Sequence, residues 1–196
     1  MTTQRLQQQI AFIIEVDKIK QIYRKNFVIG GERHETDAEH SWHLAIMAIL
    51  LAEHIDYPLD ILKVIKMVLI HDIVEIDAGD TYCFDQIGGL DKAVREQAAA
   101  NRLFGLLPED QAQELRSLWD EFEQRGSLEA KFADALDRLQ PLLLHYNTEG
   151  KSWQLNGITS GKVIERNQRT REISDKLGQL VDDIIEDSIS KGYLKK

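Results

Sequence analysis

The stretch with the clearest chemical content is the vicinal pair His71-Asp72, which stands where an apolar segment ends. Apolar residues on both sides predict that the pair lies in or near the core: Val68, Leu69, Ile70, Ile73 and Val74. Burying a carboxylate costs free energy unless a neighbouring charge compensates it. A divalent metal ion supplies such a charge, and imidazole and carboxylate groups are suitable ligands for it. An isolated pair of this kind is more commonly a core histidine hydrogen-bonded to the adjacent acid. The interpretation therefore depends on the other candidate ligands in the sequence.

Further candidate ligands lie at the start of an earlier predicted helix, which carries His40 and His43. His71 and Asp72 are adjacent, and adjacent helical residues point about 100° apart. If both bind one ion, the remaining ligands must come from other elements. His40 and His43 are one turn apart and can share a helix face, although the same spacing suits two structural histidines. His54 and His145 are interpreted as ordinary helix residues.

Two acids, Asp134 and Asp137, stand one turn apart on a strongly apolar predicted helix. A buried acid among apolar neighbours requires a cation, whereas the other acid can be a surface residue. Because residues three apart share a helix face, the spacing does not choose between them.

Glu75 follows His71-Asp72 by one turn, and Asp80 follows Gly79 in a predicted loop. Acids beside a metal ion can transfer protons, because their environment tunes their pKa. Taken alone, the two residues fit solvated loop acids equally well.

The order His40, then His71-Asp72, then Asp134 resembles the H…HD…D signature of the HD-domain metal-dependent phosphohydrolases. Flanking motifs extend the likeness, over roughly residues 10–150, to the small HD proteins that act as 5′-deoxynucleotidases. These motifs are Arg33-x-Glu35-x-x-x-Glu39-His40-Ser41-Trp42, His71-Asp72-x-x-Glu75 with Gly79-Asp80, and Lys131-x-x-Asp134.

The resemblance implies roles for individual residues. The implied ligands of one divalent ion are His40, His71, Asp72 and Asp134. The implied catalytic acids are Glu75 and Asp80, and Arg24, joined by Arg33, would hold the substrate phosphate by charge-assisted hydrogen bonds. Relatives often carry a tryptophan just after this arginine, where this chain has Lys25 and Asn26. Asp37 stands where relatives usually have a small or apolar residue.

The reaction implied by the resemblance is hydrolysis of a nucleoside 5′-monophosphate, in particular a deoxynucleotide, to nucleoside and phosphate. Alternatives within the family are phosphodiester cleavage and removal of triphosphate from dNTPs. An alternative from another class is a non-catalytic protein that binds a metal ion or a nucleotide. Nitrogen and oxygen donors permit Mn, Co, Mg, Fe, Ni or Zn.

Composition limits the classes of partner that this chain of 196 residues is expected to bind. The formal net charge of −9 argues against binding a nucleic-acid polymer, which needs a basic face. No apolar run approaches the length of a membrane span, and the N-terminus shows no signal-peptide apolar region. The single cysteine, Cys83, cannot form an internal disulfide, which suits a reducing cytoplasm. We therefore expect a cytoplasmic protein with a small-molecule substrate and no membrane partner.

Long stretches with helical periodicity and only three prolines predict an all-α fold, one compact HD-type helical bundle over residues 1–196. No segment predicts a strand. The predicted helices cover residues 4–25, 38–54, 59–74, 90–105, 109–125, 127–149 and 162–191, with a loop over 75–90. The segment after Gly150 is a helical extension that no motif covers.

The last predicted helix carries many apolar positions, among them Ile173, Leu177, Val181 and Ile184. They favour either packing on the chain's own domain or a contact with a second copy. Because relatives commonly dimerise, we expect a homodimer with a helical interface.

Overall fold

The computed structural model describes residues 3–85 and 87–196, so that Gln86 of the predicted 75–90 loop and residues 1 and 2 lie outside it. The fold is predominantly helical, which confirms the predicted class. Its α-helices are α1 Gln4–Val16, α2 Asp37–Leu51, α3 Ile61–Ile70, α4 Glu75–Ala78, α5 Lys92–Phe104, α6 Glu109–Gln124, α7 Leu128–Asn147, α8 Lys151–Leu155, α9 Ser160–Asn167 and α10 Asp175–Ser190. Short 3-10 turns cover Asp17–Gln21, Ala52–His54, His71–Val74 and Gln168–Glu172.

A small antiparallel sheet corrects the prediction of a helix over 4–25 and the expectation of no strand. The helix ends at Val16, and β1 (Tyr23–Phe27) pairs with β2 (His34–Thr36). The connecting turn contains Gly30 and Gly31, whose φ angles of 101° and 72° are available to glycine at little cost. The hairpin carries Arg24 and Glu35 towards α2 and the interior.

The core lies between α2, α3 and α7, where Leu44, Met67 and Leu136 are fully buried. Trp119 of α6 packs in the same core, and its indole Nε1 donates a hydrogen bond to the backbone oxygen of His71 at 3.1 Å. This bond fixes the backbone where α3 passes into the His71–Val74 turn.

The start of α2 is fixed by a capping box. The Thr36 hydroxyl accepts from the Glu39 backbone N–H at 3.3 Å, and the Glu39 carboxylate accepts from the Thr36 N–H at 3.0 Å. Such a cap contributes about 1 kcal/mol to stability. It places His40 at the end of the first turn of α2, where its side chain is fully buried.

The predicted helix over 162–191 is interrupted. α9 ends at Asn167, and α10 begins after Ser174, whose side chain accepts from the Leu177 N–H at 3.2 Å. The apolar side of α10 is buried in the chain's own core through Leu177, Val181, Ile184 and Ile185. Of the two possibilities left open by the sequence, packing on the chain's own domain therefore accounts for these apolar positions. Among the described residues, no helix is both long and apolar enough to cross a membrane.

Candidate metal centre

The structure brings together three of the four predicted metal ligands, His40, His71 and Asp72. One ligand atom from each lies within 4.8 Å of the others. The His71 Nε2 atom is 3.1 Å from Asp72 Oδ1, and the His40 Nε2 atom is 3.8 Å from Asp72 Oδ2. Because the chain changes from α-helix to a tighter turn at His71, two adjacent side chains reach one point. His43 stays outside this cluster, with its Nδ1 atom 3.3 Å from Gln140 Nε2.

The fourth predicted ligand, Asp134, lies elsewhere. Its carboxylate accepts two hydrogen bonds from Arg138, at 2.8 and 2.9 Å, and lies 3.0 Å from Arg125 Nε. Asp137 takes its place in the cluster, with Oδ1 3.0 Å from His40 Nε2 and 3.7 Å from His71 Nε2. The structure places Asp134 away from the cluster for a physical reason: one turn earlier on α7, the acid meets two arginines instead of two histidines.

Hydrogen bonds at the far side of each imidazole determine which nitrogen faces the cluster. His71 Nδ1 lies 2.9 Å from the backbone oxygen of Val68, which can only accept, so Nδ1 carries the proton. His40 Nδ1 lies 3.0 Å from Gln140 Oε1, and the Gln140 amide nitrogen donates to Glu35 at 2.5 Å. Both histidines therefore direct the lone pair of Nε2 at the cluster, as metal-binding histidines with an oriented Nδ1 do.

The charges of the cluster favour a cation between the two histidines and the two acids. His71 Nε2 is buried without a hydrogen-bond partner and faces two carboxylates. Burial lowers the pKa of His71, but the charges of Asp72 and Asp137 outweigh burial and raise the pKa to about 10. Conversely, although burial raises the pKa of Asp137, the neighbouring imidazoles of His40 and His71 bring it well below its usual value. Two imidazole nitrogens and two carboxylates that face one buried point fit a divalent metal ion.

Arg24 lies beside the cluster. Its Nη1 donates to Asp72 at 2.7 Å and to Asp37 at 3.2 Å, and Nη2 is 4.0 Å from Asp137. Burial lowers the pKa of Arg24, but these carboxylates raise it well above its usual value, so the side chain is always charged.

Arg33 is not brought to this place. It forms a two-pronged, exposed ion pair with Glu39, at 2.8 and 2.5 Å, and it is absent from the walls of the cavity described next. The structure thus supports a place near the cluster for Arg24 and gives Arg33 a role at the start of α2 instead.

A cavity of about 390 Å³ opens directly over the cluster, within the usual range for small-molecule sites. Glu75 and Asp80 contribute to its wall, with Glu75 buried and Asp80 half-buried. Burial raises the pKa of Glu75 well above its usual value, and the charges of Asp72, Asp37 and Asp80 raise it further.

Some residues of the cavity were not chosen from the sequence, where Asp137 was the alternative to Asp134 and His145 was interpreted as an ordinary helix residue. Asp137, Pro141 and His145 line it together, because positions four apart on α7 share a face. That spacing was readable from the sequence. Arg166 of α9, 3.3 Å from Asp137 Oδ2, belongs to the segment without a motif and carried no sequence signal.

Comparisons with known proteins show what the chain is similar to. A family model described as HD domain matches residues 16–178. The crystal structure of a predicted metal-dependent phosphohydrolase from Magnetospirillum magnetotacticum MS-1 is 49% identical, with a TM-score of 0.94 over 98% of this chain and 96% of that chain. Human 5′-deoxynucleotidase HDDC2 is 33% identical over 135 residues. The 5′-deoxynucleotidase YBR242W of Saccharomyces cerevisiae (strain ATCC 204508 / S288c) is 28% identical, and the match covers 86% of this chain and 79% of the relative. The human match covers 68% of this chain and 65% of the relative, slightly less than two thirds of its length.

Proposed function

This chain belongs to the HD-domain family, and from that premise we propose that it is a metal-dependent phosphohydrolase acting on nucleoside 5′-monophosphates, in particular deoxynucleotides. Relatives named as 5′-deoxynucleotidases and a neighbour described as a metal-dependent phosphohydrolase support the proposal. The products would be a nucleoside and inorganic phosphate.

The observation that carries the proposal is the buried His71 Nε2 atom, which has no hydrogen-bond partner and faces Asp72 and Asp137 below the cavity. We assign one divalent ion to this place. Its ligands would be His40, His71, Asp72 and Asp137. Such an ion lowers the pKa of a bound water and neutralises charge that develops on phosphorus. The donor set accepts Mn, Co, Mg, Fe, Ni or Zn.

The chain's own groups would hold and orient the substrate around this ion. Arg24 keeps Asp72 in place through a 2.7 Å hydrogen bond and adds a fixed positive charge to the cavity wall, where it attracts a phosphate. Glu75 and Asp80, on the same wall, would position the attacking water and protonate the leaving 5′ oxygen. Either carboxyl group can take either role.

The remaining walls suit a nucleoside monophosphate. Lys25, Arg166 and Arg169 offer positive charge for an anion, and Tyr82 and Phe84 offer aromatic surface for a base. A site that packs closely against the sugar rejects an added 2′-hydroxyl. Deoxynucleotides should therefore have a higher kcat/KM than the matching ribonucleotides, and equal values would remove the sugar preference while leaving the phosphatase activity intact.

The test is phosphate release from a panel of nucleoside monophosphates, nucleoside triphosphates and phosphodiesters. Each is offered to chelator-stripped protein with and without added Mn²⁺, Co²⁺ or Mg²⁺. We expect release from monophosphates only, and only with metal present. Full activity of metal-free protein would refute the metal role, and turnover of diesters or triphosphates alone would identify another HD chemistry. Nucleotide binding without release would indicate a binding protein.

We further propose a cytoplasmic homodimer whose interface is on α2 instead of α10. Trp42, Ile46, Ile49 and Leu50 form one apolar face of α2, and they are 64%, 39%, 57% and 62% exposed. An apolar row of this kind on a long helix is typical of an interface. Light scattering should give the mass of a dimer, and Ile49→Asp should give a monomer. A monomeric wild-type protein at micromolar concentration would end the proposal.

A further inference from the structure

We infer that Asn167 and His145 form a subsite for the nucleobase, in which Asn167 accepts a hydrogen bond from a donor group of the base. Both side chains line the cavity over the metal cluster, and they lie on α9 and α7, which pack against each other. The inference rests on the nucleotide substrate proposed above and deepens it, because it makes Asn167 a determinant of base specificity.

The side-chain amide of Asn167 has a fixed orientation. Its Nδ2 donates to the backbone oxygen of Val163 at 2.8 Å, and because a carbonyl oxygen can only accept, the amide nitrogen must face Val163. The Oδ1 atom is then buried, and within the described parts of the chain no group donates to it. Because Asn167 is only 4% exposed, this oxygen has lost its water without gaining a protein partner. A ligand in the cavity that donates a hydrogen bond would remove this cost.

His145 adds a second buried polar atom to the same cavity wall. The residue is 5% exposed, and its Nδ1 atom has no hydrogen-bond partner among residues 3–85 and 87–196. Trp153 packs against the imidazole, with the ring centroids 4.8 Å apart. Burial, followed by the charge of Arg24, lowers the pKa of His145 to about 3, so the ring is neutral at pH 7. A neutral imidazole offers one donor and one acceptor, and it can therefore complement either kind of group on a base.

The position of the two residues relative to the metal centre suits a base instead of a phosphate. His145 follows the proposed ligand Asp137 by eight residues on α7, which is a rise of about 12 Å along the helix. Asn167 directly follows Arg166, whose guanidinium group lies 3.3 Å from Asp137 Oδ2, so Asn167 is about one arginine side chain away from the centre. A phosphate held at the ion leaves room for a sugar before the base meets these two uncharged side chains.

The competing explanation is an ordered water that bridges the two unpaired atoms, as buried waters commonly do. Such a water would satisfy Asn167 Oδ1 whichever base is bound, and the protein would then not distinguish a base with a donor from one without it. The two explanations therefore differ in how binding depends on a single donor group of the ligand.

The first test changes that donor group in the ligand. Deoxycytidine carries an exocyclic amino group, and 2-pyrimidinone deoxyriboside is the same molecule with hydrogen in its place. Calorimetry of metal-loaded wild-type protein gives the Kd of each nucleoside without any turnover. The second nucleoside should bind about 5- to 150-fold more weakly, since only deoxycytidine can donate to the buried oxygen. Equal Kd values would overturn the inference and favour the bridging water.

The second test changes the acceptor. Asn167→Leu has a similar shape but no amide oxygen, so it should bind both nucleosides with the same Kd. Asn147→Leu is the matched control, because Asn147 is also the last residue of its helix and its Nδ2 also donates to a backbone oxygen four residues earlier at 2.8 Å. Asn147 is exposed, and its variant should keep the wild-type ratio of Kd values. An unchanged ratio in correctly folded Asn167→Leu would overturn the inference, and the comparison of ligands on wild-type protein needs no variant.

Hydrolysis of the two corresponding 5′-monophosphates separates this inference from the proposed function. Wild-type protein should show a higher kcat/KM for dCMP than for the monophosphate without the amino group, and Asn167→Leu should lose this difference. If neither compound is hydrolysed, the proposed function fails while the Kd values of the nucleosides still test the subsite. If both are hydrolysed with equal kcat/KM, the subsite is refuted and the phosphohydrolase activity stands.

Discussion

Substituting the two acids of α7 separately tests the proposed metal centre most directly. Asp137→Asn removes the charged group that faces the Nε2 atoms of His40 and His71, at 3.0 and 3.7 Å. Removing one member of a buried charge pair costs about 3–5 kcal/mol. At about 1.4 kcal/mol per factor of ten, metal affinity should fall about 100- to 4,000-fold.

Asp134→Asn should have the opposite effect, lowering stability but not metal binding. Its carboxylate binds Arg138 and Arg125 instead of the histidines, and all three side chains are mostly buried. The substitution should lower the free energy of unfolding, again by about 3–5 kcal/mol, because two arginines lose their partner. Metal content at saturating metal should remain that of the wild type.

The assay pairs elemental analysis with chemical denaturation. Both variants are stripped with chelator, dialysed against a graded series of Mn²⁺ concentrations and analysed for bound metal, with unfolding followed by circular dichroism. We expect Asp137→Asn to lose metal affinity and Asp134→Asn to lose stability. If Asp134→Asn loses the metal while Asp137→Asn keeps it, the assignment of the fourth ligand is refuted.

Three further predictions concern residues around the centre. Burial, followed by the charge of Arg24, lowers the pKa of His145 from 6.5 to about 3, so below pH 6.5 the unfolded chain binds a proton that the folded protein excludes. This residue should therefore make the protein about 2 kcal/mol less stable at pH 5 than at pH 8, and denaturation at both values should show that His145→Gln removes this part of the difference. Trp119→Phe removes the indole N–H that donates to the backbone oxygen of His71 and should cost about 0.5–1.5 kcal/mol of stability in the same assay. An unchanged midpoint would show that the bond contributes nothing. Arg33→Ala should leave the KM for nucleotides unchanged, because Arg33 is outside the cavity. A large rise in KM would show that Arg33 binds the substrate after all.

The sequence predicted those parts of the centre that depend on local patterns. The apolar segment that ends at His71-Asp72 predicted a buried pair, and the predicted helix over 38–54 placed His40 near the beginning of α2. Both features follow from residues that are close in sequence, because helix periodicity and capping are local effects.

The choice between Asp134 and Asp137 depended on contacts that are distant in sequence. Both acids lie on neighbouring parts of one helix, and the decision came from Arg125 beyond the end of α6 and His40 on α2. No spacing rule states which partner an acid meets across the core. The hairpin was missed for the same reason, since β1 exists only by pairing with β2 across the Gly30-Gly31 turn.

The C-terminal stretch shows a second limit of prediction from sequence. Its apolar positions, including Val181 and Ile184, were correctly identified as a surface that needs covering. Periodicity reports that a helix face is apolar, but it does not report what covers it. The structure shows that the chain's own core covers α10, and that α2 carries the exposed row that the sequence pattern alone could not distinguish from a buried one.

The proposed ligands of the metal ion come from the start of α2, the end of α3 and the middle of α7, which are far apart along the chain. An ion bound there would act as a reversible cross-link that closes two long loops of the unfolded chain, and closing such loops removes conformational entropy from the unfolded state. Backbone amides in these three helices should therefore exchange with deuterium more slowly in metal-loaded protein. α1, which has no buried residue, lies outside the cross-linked region, and its amides should exchange at the same rate with or without the ion.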